Sequence, residues 1–335
     1  MPIYKMKIAI VILNWNGEKL LPQFLPSVIN NSKNVELYVV DNASTDGSVE
    51  LLTTQYPEVK IIQNKGNYGF AKGYNEGLKE IDAEYFCLLN SDVEVTENWI
   101  EPIVSLLDNR PDIAAVQPKL LDYKNKSYFE YAGAGGGLID QYGYPYCRGR
   151  VFSTLEEDKG QYNDTTQIFW ATGACFFIRS KDFFEQNGFD EDFFAHMEEI
   201  DLCWRLNNAG RKIYYCGEST VYHLGGATLD KSNPKKWYLN YRNSLWMLLK
   251  NLPKNKLFPT IFTRLSLDGV AAIAFLPSQG FPHLWAVFIS HMHFYKGLSK
   301  MYKKRQKHQD KDYSTTSLLP IQYFLKKRKY FKDLK

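Results

Sequence analysis

The feature that most constrains the fold is an alternation through the first 107 residues: four times a short apolar run leads through a polar turn to a helical segment. The runs are 7–13 (Lys-Ile-Ala-Ile-Val-Ile-Leu), 35–40, 59–63 and 86–89. Strands that are apolar along their whole length are buried on both faces, as in a parallel sheet covered by helices on each side. Helical segments fit behind them at 20–30, 49–55, 71–80 and 97–107. The alternation predicts a doubly wound, Rossmann-like α/β fold with a mostly parallel sheet. Three of the four runs end in clusters of Asp or Asn. Ligands of open parallel sheets bind beyond the carboxyl ends of the strands, so one shared site is expected there.

Past residue 95 the rhythm loosens. A strand is expected at 114–116, a Gly- and Tyr-rich stretch at 132–146, and a turn leading into a buried strand at 169–178. A helix over 197–209 is closed by Gly210, and short strands follow at 213–216 and 220–222. The last 90 residues hold a helix at 237–249, apolar stretches at 267–276 and 284–289, and a basic end. The resulting division is 1–130 for a nucleotide-binding half, 131–245 for an acceptor half, and 246–335 for a mainly helical extension.

Charge is unevenly placed. Residues 296–335 carry 13 Lys and Arg against three Asp, a net of +10, whereas the whole chain is +4, leaving −6 elsewhere. A basic end on an acidic body predicts an anionic partner. Basic clusters at 303–305 and 326–329, behind apolar segments too short to span, fit a protein lying on an anionic membrane face. A helical packing or homodimer appendage reads equally well. No nucleic-acid recognition module accompanies the basic residues, so no nucleic acid is expected. Five Cys without a C-x-x-C pair read as reduced, buried thiols, and therefore as a cytoplasmic protein. The opening segment is too short for a signal peptide. No run of about 18 apolar residues argues for a spanning helix.

Several positions carry chemistry. Asp92 follows the buried run 86–89 and is placed to hold a hydrated divalent cation that clamps a diphosphate, or else to cap the next helix. Asp41 ends the second run and could accept a pyrimidine N–H beside the ring of Trp15, or close an Asx-turn. Asn67, Gly69 and Asn75 form a loop and helix start able to approach a nucleotide closely. Glu198-Glu199-Ile200-Asp201 opens a helix, where the dipole stabilises each acid by roughly 0.3–1 kcal/mol. Glu199 shares a face with Leu202, Cys203 and Leu206, so it points inward and could take a proton from an attacking hydroxyl. Asp201 and Arg205 stand at i,i+4 and pair on the surface or at a subdomain seam. His223 ends a strand before Gly225-Gly226 and either completes a metal shell or is structural.

Eight motifs now stand in order: Val-Ile-Leu-Asn-Trp-Asn-Gly, Val-Asp-Asn-Ala-Ser-Thr-Asp-Gly-Ser, Asn-Tyr-Gly-Phe-Ala, Leu-Leu-Asn-Ser-Asp-Val, Thr-Gly-Ala, Gly-Phe-Asp-Glu-x-Phe-Phe, Glu-Glu-Ile-Asp-Leu-Cys-Trp-Arg and His-Leu-Gly-Gly. Together they resemble the inverting family 2 glycosyltransferases of GT-A fold, in their rhamnosyltransferase-like branch, over about residues 7–245. The resemblance implies transfer of one sugar from a nucleoside-diphosphate sugar (dTDP-rhamnose or a UDP-hexose) to a glycan or lipid-linked saccharide, with Mg2+ or Mn2+ as cofactor, in cell-surface polysaccharide synthesis. It implies nucleotide contacts from Asn14, Trp15, Asn16, Asp41, Asn67, Gly69, Asn75 and Asn90. Metal or diphosphate contacts would come from Asp92 and His223, and acceptor or supporting contacts from Trp170, Thr172, Gly173 and Asp201. Glu199 would be the base, with Glu198 the alternative.

Two positions depart from the family pattern. Asn90 replaces the first Asp of D-x-D, which weakens the anionic character of the metal position. Glu199 stands where Asp is usual. The Gln-x-x-Arg-Trp motif of processive synthases is absent. Two other readings stay open: a nucleotidyltransferase, which would need a Gly-rich basic loop after the first strand, and an inactive glycan-binding or scaffold homologue.

Overall fold

A computed structural model describes residues 6–225, 233–306, 312–314 and 316–334. Gly226 and part of the basic end (307–311, 315 and 335) lie outside the described residues.

The alternation forms as the apolar pattern dictates. Strands β1 (Met6–Asn14), β2 (Glu36–Asp41), β3 (Lys60–Gln63) and β4 (Ala83–Asn90) alternate with helices α1 (Leu21–Asn31), α2 (Ser48–Gln55) and α3 (Gly69–Leu78). All run parallel in the order β3-β2-β1-β4. Beyond β4 come β5 (Val93–Val95), α4 (Glu101–Asn109) and β6 (Ile113–Asp122). Helix α4 starts later than the expected 97, with Pro102 in its first turn, where a missing N–H goes unnoticed. A small four-stranded sheet follows: β7 (Gly137–Ile139), β8 (Pro145–Cys147), β9 (Arg150–Val151) and β10 (Thr154–Leu155).

The main sheet is completed by β11 (Thr165–Ile168), β12 (Cys175–Arg179) and β13 (Lys212–His223), with α5 (Ser180–Glu185) and α6 (Glu198–Asn208) between the last two. Its order is β11-β13-β6-β12-β4-β1-β2-β3, and β5 pairs with β13. The second half is mixed: β12 runs antiparallel to both β4 and β6, whereas β13 and β6 are parallel. The two short strands expected at 213–216 and 220–222 are one strand, β13, with a register shift between Cys216 and Thr220. Gly210 ends α6 with φ +77°, a conformation that favours glycine.

Helices α7 (Pro234–Asn251), α8 (Lys254–Ala274), α9 (Leu276–Gln279) and α10 (Phe281–Lys303) make the extension. It is fastened to the sheet domain: Leu245, Met247, Leu248, Phe294 and Met301 join the same buried core as Ala9, Val11 and Phe86. All five Cys are free and buried. By length and composition α8 is apolar enough to cross a membrane, even with Arg264 and Asp268 within it. Part of the basic end is engaged within the protein. Arg305 donates to the carbonyls of Leu249 and Leu252, and Lys304 binds Asp190 and Asp192. Residues 316–323 strap onto the small sheet, where Asp140 accepts the Leu319 N–H and Tyr146 meets Thr316. The Asp140 carboxyl is pushed up to about 6 by burial, against the pull of those backbone N–H donors.

Candidate active site

The parallel register brings the strand ends together. Asn14 stands opposite Asp41, and Leu13 opposite Asn90. Asn14 Nδ2 donates to Asp41 Oδ1 (3.0 Å) and to Ser44 Oγ (3.1 Å). Asp41 Oδ2 accepts the Ser44 N–H at 2.9 Å, so the Asx-turn forms, and the same buried carboxylate lies at the sheet's carboxyl edge. Asn16 Oδ1 accepts the Thr45 N–H, and the Asn16 N–H meets Ser44 Oγ. Trp15 between them is 48% exposed, a ring face open to solvent at the strand end.

Asn67 caps the next loop by accepting the Gly69 N–H at 3.0 Å. Gly69 has φ +73°, and a Cβ there would come within 2.6 Å of the Phe194 ring. Asn75 is not at the nucleotide edge. Its amide both donates to Phe189 O (2.8 Å) and accepts from Phe189 N (2.9 Å), a two-bond joint that welds α3 to the 189–193 turn. Trp170 likewise belongs to the core, with Nε1 donating to Leu138 O and its ring filling the space beside Gly137. Thr172 and Gly173 support the strand ends: Thr172 N donates to Gln117, Gly173 packs on Phe70, and Ala174 O accepts the Asn90 N–H.

Asp92 and His223 meet because β5 is antiparallel to β13, with Val93 opposite His223. Asp92 Oδ1 lies 3.2 Å from His223 Nε2, and both are buried. His223 Nδ1 faces Glu130 Oε2 at 3.4 Å. Burial pushes the imidazole pKa down, but the Glu130 and Asp92 carboxylates outweigh it and hold His223 at about 10. Burial pushes Asp92 up, and the His223 charge more than reverses it, leaving the carboxyl below its usual range.

Among the described residues no three His, Cys, Asp or Glu side chains form a ready cation cage. The donor chemistry fits a divalent ion all the same. Mg2+ uses one or two carboxylates and leaves the rest to water and phosphate. The 3.2 Å contact itself is an ion pair in which the His223 imidazolium holds the carboxylate in place, so Asp92 is the one anionic ligand this pair offers a cation. Glu130, facing the other ring nitrogen, helps keep His223 charged. The sequence carried no signal for Glu130, which reaches the site only because the 128–130 segment bridges back onto the end of β6.

Helix α6 presents the acids. Glu198 and Glu199 each keep one buried carboxylate oxygen with no hydrogen-bond partner. Burial, only partly offset by backbone N–H groups, raises Glu199 to about 7. Burial and the neighbouring Glu199 charge push Glu198 well above its usual value. Asp201 is at the seam, not on the surface: fully buried, it binds Arg205 (2.8 Å), Lys250 (2.7 Å) and Asn251 (2.8 Å). Lys250 also binds Asp190 at 2.7 Å.

The turn before α6 is strained. Phe194, His196 and Met197 all have positive φ (64°, 70° and 72°), a conformation costly for bulky side chains. It is held from both sides. Phe194 O accepts the Phe70 and Ala71 N–H groups at the start of α3. From α7, the buried Asn243 Nδ2 donates to the carbonyls of Phe193, Ala195 and His196 (3.0, 2.9 and 2.7 Å), and Arg242 donates to Asp192 O and Phe193 O. The hint in the sequence was a polar Asn-Ser pair opening the otherwise apolar run Leu245–Leu249.

The fold and these strand-end polar groups have the form of a sugar-nucleotide transferase. The Glycosyl transferase family 2 model matches residues 9–185, and the chain belongs to that family. It is similar to the N-acetylglucosaminyl-diphospho-decaprenol L-rhamnosyltransferase of Mycobacterium tuberculosis, at 24% identity over 232 residues (64% of this chain, 75% of that protein). Rhamnosyltransferase WbbL of Escherichia coli is 23% identical over 215 residues (62% and 80%). In fold the chain resembles the crystal structure of GalNAc-T7 with UDP, GalNAc and Mn2+, with a TM-score of 0.59 at 15% identity, covering 88% of this chain and 57% of that one. The architecture is GT-A, and the chain is a glycosyltransferase.

Proposed function

We propose that this glycosyltransferase moves one sugar from a nucleoside-diphosphate donor to an acceptor hydroxyl with inversion, using Glu199 as the base. The observation that carries the reading is the pair of acids opening α6, Glu198 buried and Glu199 half-buried, each with one enclosed carboxylate oxygen that has no hydrogen-bond partner. Each acid loses hydration that its backbone hydrogen bonds only partly replace, a cost that a proton-transfer role would account for. Burial and the neighbouring Glu199 charge favour the protonated form of Glu198, and Glu199, at about 7, is the member better able to accept a proton near neutral pH. Proton removal on the face opposite the leaving diphosphate gives a single displacement and needs no covalent intermediate.

Asp41 and the 14–16 segment are proposed to hold the base of the nucleotide, with Asn67, Gly69 and Asn90 along the loop edge. Asp92 would hold Mg2+ or Mn2+, and His223, kept as an imidazolium by Glu130 and Asp92, would contact the diphosphate. Bound there, the ion supplies positive charge to the leaving diphosphate. The names of the rhamnosyltransferase relatives favour dTDP-rhamnose as donor, with a UDP-hexose as the alternative. The mycobacterial relative's name favours a lipid-linked saccharide acceptor, and with it a place in cell-surface glycan synthesis at the cytoplasmic face.

The test is release of nucleoside diphosphate from a panel of nucleotide-sugars with Mg2+ or Mn2+. Slow release is expected without acceptor. Asp92→Ala abolishes it, and Glu199→Gln lowers it at least about a hundredfold, as for loss of a general base. Normal turnover in Glu199→Gln would transfer the role to Glu198.

A further inference from the structure

Helices α8 and α10 turn their inner faces to α7. Arg264 of α8 donates to Ser244 Oγ and to Tyr142 O, and Gly297 of α10 packs on the Trp246 ring. Their outer faces are aromatic and uncovered. On α8, Phe258 and Phe262 are 79% and 63% exposed with rings stacked 6.2 Å apart. On α10, Phe281, Trp285 and Phe288 form a second exposed ladder, with centroids 6.3 and 5.1 Å apart. Large rings repeated along one face of each of two neighbouring helices form an apolar surface of the kind that marks an interaction site.

Charge identifies the occupant. Between residues 233 and 306 the chain holds 12 Lys and Arg and a single acid, Asp268. Asp268 is buried against Arg264 and His291. The exposed side of the hairpin therefore carries cations such as Lys254, Lys296 and Lys303, and no carboxylate. A two-fold dimer would set this face against itself and bring like charges together without an acid to pair them. An anionic bilayer supplies both apolar depth for the rings and negative charge for the lysines.

We propose that the α8–α10 hairpin is a docking face for an anionic lipid bilayer, lying in the interface rather than crossing it. Spanning is opposed by the buried Arg264–Asp268 pair on the inner face of α8, which ties that helix to the sheet domain. The hairpin tip is also next to the candidate site. Trp237, at the start of α7, packs on Phe275 and His283 at the tip, and Lys235, two residues earlier, lies over the Phe194 ring. Docking would hold that rim of the site at the membrane surface, where a lipid-linked hydroxyl resides. The anchor is the aromatic hairpin, and not the basic clusters alone, since Lys304 and Arg305 are engaged within the protein.

The full chain is mixed, without donor, with vesicles of phosphatidylcholine alone or with about a third phosphatidylglycerol, and sedimented. Binding needs no catalysis, so this outcome is independent of the proposed reaction. The wild type should bind the anionic vesicles at least about tenfold more tightly, and brominated acyl chains should quench its Trp emission. The triple variant Phe258→Ser/Phe262→Ser/Trp285→Ser should lose binding while remaining monomeric. Lys254→Glu/Lys296→Glu, which leaves the apolar face intact, should lose the preference for anionic lipid. Failure of the wild type to bind, equal binding by the triple variant, or a concentration-dependent dimer that the triple variant dissolves would each overturn the proposal.

Discussion

Replacing Lys250 by Met removes the cation shared by Asp190 and Asp201 and keeps most of the side-chain volume. Lys250 is buried and lies 2.7 Å from each carboxylate. Removing one partner of a buried ion pair costs roughly 3–5 kcal/mol, mostly because the other charge is left uncompensated. Here neither acid is left alone. Asp190 retains Lys304, and Asp201 retains Arg205 and Asn251. The loss should therefore fall at the low end, about 3 kcal/mol. With an unfolding entropy of about 2.1 cal/mol/K per residue, a chain of this size loses about 4 °C in Tm. Circular dichroism melts and urea titrations of Lys250→Met measure it. Adding Asp190→Asn should return part of the loss, since only Asp201 is then short of the Lys250 cation, with a coupling of at least about 1 kcal/mol. A shift below about 1 °C, or strict additivity in the double variant, would refute the view that this network clamps α7 to α6.

The other predictions concern the site. With Glu199 raised to about 7, the base is protonated below that pH and free above it. The rate of nucleotide release should then climb about tenfold per pH unit below the inflection and level off above it, and a profile flat from pH 5 to 8 would exclude this base. Asn243→Ala removes three hydrogen bonds from the strained turn before α6 and should lower kcat far more than it raises KM for donor; an unchanged kcat would make the clamp merely structural. Glu130→Ala removes one of the two carboxylates that keep His223 charged and should raise KM for donor by about tenfold, as expected for weakening a charged contact to the diphosphate, and an unaltered KM would argue against that contact.

The parallel half of the sheet was legible because each of its strands is a contiguous apolar run, a pattern that local sequence states outright. The expected segments at 7–13, 35–40, 59–63 and 86–89 match β1 to β4 to within a few residues at either end. The mixed half was harder to read, since β12 pairs antiparallel with partners more than 60 residues away and nothing in 175–179 records direction. Asn75 and Trp170 show the converse difficulty. A buried amide joining two backbones and a buried indole look, in sequence, the same as ligand contacts. The basic end kept two readings because composition counts charges and does not reveal that Lys300 and Lys304 already face Asp192.

The order of the motifs, the buried strands and the acid-rich start of α6 were settled by sequence alone, because each depends on neighbours within a dozen residues. The pairing of Asp92 with His223, the arrival of Glu130 behind that imidazole, and the grip of Asn243 on the turn before Glu198 were decided by tertiary structure. Those contacts join residues 47 to 131 positions apart, and only the sheet register and helix packing bring such side chains within a few ångströms.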